Sequence, residues 1–178
     1  MNYCSNCGQL LTYITPPGDD RSRYCCDSCG AIHYQNPTMV VGCIPERKRR
    51  ILLCRRAIEP CHGKWTLPAG YLENGETVSA GAVRETFEEA RARVEILAPY
   101  ALYNICYVNQ IYLMFRARLV DNNFRAGSES LEVRLFSEDE IPWGQIAFRV
   151  IEETLVQYFN DRPSGRFPFY IGEIHKKK

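Results

Sequence analysis

The stretch that most constrains this chain is GYLENGETVSAGAVRETFEEARA, residues 70–92. A glycine loop leads into a proline-free run in which Ala80, Val83, Phe87 and Ala90 recur at helical spacing. At about 100° per residue these apolar positions share one face, and Glu85, Glu88 and Glu89 fall on the opposite one. Carboxylates that close repel one another, so a cation is expected among them. The bland reading is a solvated glutamate face. The functional reading is a site for Mg²⁺ or Mn²⁺, hard cations that take oxygen ligands among carboxylates and substrate phosphates.

The order of the neighbouring residues favours the functional reading. Gly70, five residues, Glu76, seven residues, Arg84-Glu85, two residues and Glu88-Glu89 resembles the signature of the Nudix hydrolases, which cleave a nucleoside diphosphate linked to another moiety. The resemblance implies that Glu85, Glu88 and Glu89 are metal ligands and that the Gly70 carbonyl faces the metal. It also implies that Arg84 and Glu76 orient the loop and helix. Many relatives draw a further carboxylate, as ligand or base, from a later loop; Glu129 is the candidate here, with Glu132 behind it. Two positions depart from the pattern. Thr86 stands where the family has an apolar residue, and Arg91 stands where it has a helix-ending glycine. A left-handed cap is costly for arginine, so the helix is expected to run on toward Val94.

Nine cysteines, an odd number, do not suit a simple disulfide framework. Cys4-x-x-Cys7 and Cys26-x-x-Cys29 have the paired spacing of a four-thiolate structural zinc site; a redox pair or free thiols are the alternatives. Cys25 is the rival ligand but breaks the two-residue spacing. Residues 1–34 are short of aliphatics and carry a turn at Pro16-Pro17-Gly18. Such a segment needs metal to fold. It reads as a zinc ribbon spanning residues 1–36, with His33 a surface or hinge residue.

Beyond the ribbon, a Nudix domain is expected over residues 37–161 and a tail over 162–178. Residues 39–44 and 51–54 are apolar runs around a basic turn at residues 47–50, a solvated hairpin tip or a phosphate contact. Residues 100–107 and 111–120 read as a hairpin around Asn109. Tyr100, Tyr103, Tyr107 and Tyr112 on it are core residues or a stacking wall for a planar ring. Residues 121–130 form a polar loop before a strand at 131–136, and residues 146–159 have the spacing of an amphipathic helix. His62 is a loop histidine that is solvated or assists phosphate binding.

A net charge of +1 argues against a dominant nucleic-acid or membrane surface. No apolar run of about 18 residues is present. The first residues lack the features of a signal peptide, so a cytosolic protein is expected. The resemblance extends to Tyr34-Gln35-Asn36-Pro37, Leu67-Pro68-Ala69-Gly70 and Glu129-Ser130-Leu131-Glu132, and is similar to a ribbon-bearing subgroup that includes the plant FAD pyrophosphatases. It implies an α/β/α sandwich with a mixed sheet, preceded by the ribbon. It further implies a homodimer and Mg²⁺- or Mn²⁺-dependent cleavage of a small-molecule dinucleotide, FAD to FMN and AMP. ADP-ribose or NADH is the alternative substrate, although an SQPWPFPxS-like segment typical of the NADH type is absent. A regulator that binds nucleic acid through the ribbon and residues 47–50 is the alternative from another class.

Overall fold

The computed structural model describes residues 1–176. The chain separates into two compact units, Met1–Asn36 and Pro37–Lys178.

In the first unit, β1 (Thr12–Ile14), β2 (Arg23–Cys25) and β3 (Ile32–His33) form an antiparallel sheet. Two turns of the same design serve it, one before β1 and one joining β2 to β3. The Gly8 N–H donates to the Cys4 carbonyl at 2.9 Å, and the Gly30 N–H donates to the Cys26 carbonyl at 2.8 Å. Each turn folds a CxxC pair so that both of its thiols face the same point.

The second unit is built on strands β4 (Thr38–Arg47), β5 (Arg50–Arg56), β6 (Trp65–Thr66) and β7 (Ala69–Tyr71), then helix α1 (Val78–Ala90). Strands β8 (Val94–Ile105), β9 (Gln110–Leu119) and β10 (Ser130–Phe136) follow, then helix α2 (Arg149–Asp161) and β11 (Tyr170–Glu173). The strand order is β10-β5-β4-β9-β8-β11, with β6 paired to β5 and β7 to β4. β4 and β9 run parallel, as do β8 and β11, and the other pairs are antiparallel, so the sheet is mixed. The segment after α2 thus returns to the sheet as an edge strand.

Alternation along β5 sets the layers. Ile51 and Leu53 pack in the cluster that holds Ile151, Leu155 and Phe159 of α2, while Leu52 and Cys54 join Ala82 and Ala90 of α1. With a helix on each face the strands read as continuous apolar runs, as buried sheets do. This is the expected α/β/α sandwich.

Helix α1 differs from its sequence reading in two ways. The buried positions are Gly81, Ala82, Thr86, Glu89 and Ala90, whereas Phe87 is 45% exposed and its ring lies under the Arg91 guanidinium. The apolar stripe mislocates the buried face because small residues, not Phe87, let the helix lie close to the sheet. Thr86 is tolerated there because its hydroxyl donates to the Ala82 carbonyl at 2.8 Å. The helix also stops at Ala90 and does not run on toward Val94. Arg91 takes the left-handed conformation, φ 49°, and its N–H donates to the Phe87 carbonyl at 2.8 Å. Tertiary contacts offset the cost: the 121–129 loop crosses the helix end, where Arg125 N–H meets the Ala90 carbonyl and Gly127 N–H the Glu89 carbonyl, both at 2.9 Å.

Candidate active site

β7, the C-terminal half of α1, Glu129 from the loop before β10 and the N-terminal end of α2 surround a cavity of about 750 Å³. Gly70, Glu85, Glu88, Glu89 and Glu129 all line it. Gly70 has no room for a side chain, since a Cβ there would meet the Glu85 carboxylate, with Oε1 at 2.5 Å. Backbone and carboxylate therefore stand side by side.

Thr77 starts the helix, accepting the Ala80 N–H at 3.2 Å. About two turns later, Arg84 ties the loop to the helix. Its Nε and Nη2 donate to the two Glu76 oxygens at 3.1 and 2.7 Å, a bidentate pair. Nη2 also reaches the Tyr71 carbonyl at 3.0 Å. Nη1 donates to Glu85 at 2.6 Å and Glu88 at 3.1 Å. The hydrogen-bonded guanidinium, helped by the Glu73 N–H, holds the Glu76 carboxyl down to about 2.

The carboxylates on α1 occupy different depths. The Glu88 side chain is about half exposed, that of Glu85 is 13% exposed, and Glu89 is buried. Burial raises the pKa of Glu85, with Arg84 opposing. Burial, reinforced by Glu85, pushes Glu89 up to about 8, and Arg56 and the Ala69 N–H offset only part of this. Among the described residues, Glu89 Oε2 is buried with no hydrogen-bond partner. A buried carboxylate oxygen without a donor is costly. An oxygen-only donor set with one orphaned atom suits a hard divalent cation, which Glu85, Glu88, Glu89 and the Gly70 carbonyl would hold.

The other wall is apolar and aromatic. Tyr107 and Tyr112 line it, but Tyr100 is fully buried with its hydroxyl on Asp161 at 2.7 Å, and Tyr103 is in the core. The hairpin tyrosines thus divide between the two readings. Ile105, Phe148 and Ile174 complete the wall, and Arg56, whose guanidinium lies 5.0 Å from the centre of the Phe148 ring, faces the same space. Sequence reasoning missed Arg56, Phe148 and Ile174, which come together only through the sheet order and the return of the chain to β11. Glu132 lies outside the cavity, 3.9 Å from Arg55, and His62 is exposed and does not line it.

In the first unit the Sγ atoms of Cys4, Cys7, Cys26 and Cys29 lie within 4.8 Å of one another. Cys4 and Cys29 are 3.7 Å apart, and Cys7 and Cys26 3.5 Å. A tetrahedral site with Zn–S of about 2.3 Å places sulfurs about 3.8 Å apart, so the four thiols fit zinc. Cys25 is buried and outside the group. His33 Nε2 lies 3.3 Å from Cys4 Sγ, the position of a residue that orients a ligand rather than one that binds.

The family model for the NUDIX domain matches residues 36–157, and a model described as Nudix N-terminal, a zinc ribbon, matches residues 2–35. The chain belongs to the Nudix family. A solved NUDIX hydrolase from Nitrosomonas europaea is 54% identical, with 99% of this chain and 100% of that one covered at a TM-score of 0.97. An NAD-capped RNA hydrolase, NudC, of Pseudomonas aeruginosa is 29% identical over 167 residues, 92% of this chain and 57% of that protein. An ADP-ribose pyrophosphatase of Methanocaldococcus jannaschii is 28% identical over 113 residues, 61% of this chain and 67% of that protein. This Nudix chain spans about half to two thirds of the length of such curated relatives. Among the described residues no helix is long and apolar enough to cross a membrane.

Proposed function

We propose that this chain hydrolyses the diphosphate bridge of a dinucleotide or a related nucleoside diphosphate. The observation that carries the reading is the four-glutamate wall with its orphaned Glu89 oxygen, facing an apolar wall across a cavity large enough for a nucleotide. Water attacks one phosphorus, the bond from that phosphorus to the bridging oxygen breaks, and two phosphate monoesters leave. Glu85, Glu88 and Glu89, with the Gly70 carbonyl, would hold a Mg²⁺ or Mn²⁺, which when bound would supply charge neutralisation at the bridge and a more acidic water. Arg84 and Glu76 keep Gly70 and Glu85 in register. Glu129 lines the cavity and makes no ion pair among the described residues, so it is free to accept the proton from water. Zinc at the four cysteines is structural.

FAD, cut to FMN and AMP, is the substrate we assign first: the apolar and aromatic wall suits a large planar ring. ADP-ribose and NADH need the same chemistry at the bridge, and a relative named as an ADP-ribose pyrophosphatase supports the first of them. NAD-capped RNA is the second reading, favoured by the 92% of this chain that aligns with the Pseudomonas NudC. Side-by-side kcat/KM for the four substrates ranks them. In the same assay Glu88→Gln should keep the fold, since that side chain is half exposed and makes one 3.1 Å contact with Arg84, yet lower kcat by about a hundredfold or more. Unchanged turnover removes Glu88 from the metal set.

A further inference from the structure

A second concavity, of about 760 Å³, shares no lining residue with the first. Arg47, Lys48, Arg49, Arg116, Arg118 and Arg162 line it, against Glu46 as the one acidic lining residue among the described residues. The first cavity takes Val40 from β4 and the second takes Glu46 and Arg47. At about 3.3 Å per strand residue the two lie about 20 Å apart along that strand. The basic concavity therefore sits at the other end of the sheet from the glutamates.

Six cations converging on one hollow repel one another unless something neutralises them. Three are matched: Arg116 with Glu46 at 2.7 Å, Arg162 with Glu138 at 2.5 Å, and Arg118 with Glu95. Arg47, Lys48 and Arg49 have no carboxylate partner among the described residues. Arg47 instead donates to the Leu119 and Val120 carbonyls at 3.0 and 2.9 Å. Its Nε, with those of Arg116 and Arg162, is buried without a partner among the described residues. The turn that presents Lys48 and Arg49 has φ of 48° and 66°, a conformation unfavourable for both.

The hollow is also stiff. The Arg116 guanidinium lies 3.3 Å from the centre of the Phe167 ring, which stacks on Tyr158 at 5.5 Å. The Tyr158 hydroxyl in turn donates to Glu46 at 2.6 Å. A guanidinium fixed by stacking and by an ion pair loses little freedom when an anion arrives.

We propose that this concavity is a second anion site, which takes a small multiply charged phosphate: inorganic pyrophosphate or the phosphate end of a nucleotide. A chain with a net charge of +1 overall concentrates positive charge here, in a hollow of nucleotide size rather than along a track. That favours a small phosphate over a nucleic-acid strand. The proposal stands apart from the reaction assigned to the glutamate cavity.

The test is amide chemical-shift mapping on the full chain, zinc retained and no other divalent cation added. Sodium pyrophosphate and then AMP are titrated at low salt. Changes confined to residues 46–49, 116–119 and 162–167 are expected with one or both, and the comparison separates the free phosphate from the nucleotide. Lys48→Asn combined with Arg49→Asn, residues that tolerate positive φ, should weaken binding about tenfold while kcat for the diphosphate substrate stays unchanged. Changes at Gly70 and Glu88 alone, no change up to millimolar ligand, or the same affinity in the double variant would overturn the site. So would binding of an oligonucleotide without binding of pyrophosphate or AMP.

Discussion

Gly127→Ala tests whether the 121–129 loop is built against the end of α1 or merely lies near it. A Cβ at Gly127 would fall inside the contact radius of the Glu88 carbonyl oxygen and 2.9 Å from its carbon. Both are backbone atoms within the helix, so relief requires the loop to lift. Lifting breaks the hydrogen bonds from Gly127 to Glu89 and from Arg125 to Ala90, each worth about 1 kcal/mol net. It also exposes helix-end carbonyls and loosens the cover over Ala90, so a total loss of about 3 kcal/mol is expected. For a unit of this size that lowers Tm by about 6–12 °C. The same movement carries Glu129 away from the carboxylates on α1, so kcat should fall more than stability alone explains. Differential scanning calorimetry and kcat measured well below the new Tm separate the two effects. Gly144→Ala is the control, because a Cβ there meets nothing within 4 Å and the residue is not at positive φ. A Gly127→Ala protein with the Tm and kcat of Gly144→Ala would refute the argument, for it would mean that the loop does not press on the helix.

Two further outcomes follow from the geometry. Glu76 has its folded pKa held near 2 by Arg84, so its stabilising effect is complete above the unfolded carboxylate value and disappears as pH falls through about 2. Glu76→Gln should therefore flatten the acid limb of the Tm-against-pH curve between roughly pH 4.5 and 2, and an unchanged limb would show that the pair does not hold the loop. Chelation of zinc should make four thiols, those of Cys4, Cys7, Cys26 and Cys29, reactive toward a thiol reagent and speed amide exchange across residues 1–36. Thiols that react equally fast before and after chelation would exclude a thiolate metal site.

The sequence made the zinc ribbon and the carboxylate helix legible because their spacings are local. Each CxxC pair and the i, i+3, i+4 glutamates are set by one turn of backbone, whereas the meeting of the two pairs, Cys4 with Cys29 and Cys7 with Cys26, is made by the β1-β2-β3 sheet. The hairpin around Asn109 was legible for the same reason. The far wall was not, because Arg56, Phe148 and Ile174 come from three elements that only the sheet order brings together. Arg91 failed as a prediction because local cost was weighed without the loop that covers the helix end. Phe87 is exposed because the buried face of α1 is made of Gly81, Ala82, Thr86, Glu89 and Ala90, so a stripe of larger apolar residues is a poor guide to it.

The division of labour among the glutamates follows from depth more than from spacing. Glu76 and Glu85 both touch Arg84, yet Glu76 is fully engaged by two parallel hydrogen bonds while Glu85 shares one nitrogen with Glu88. Glu76 therefore has little capacity left for a cation and acts on the loop. Glu85 and Glu88 are held by a single Nη1 that a divalent charge can outcompete, since the guanidinium keeps its anchor on Glu76 and Tyr71. Among the described residues Glu89 has no donor on Oε2, which makes it the site of greatest electrostatic need. A cation would satisfy Glu89, relieve the repulsion from Glu85 and leave Arg84 in place. On that proposal the loop-helix unit would need no rearrangement of its backbone to take up a metal, because Arg84 would give up only its Nη1 contacts and stay tied to Glu76 and Tyr71.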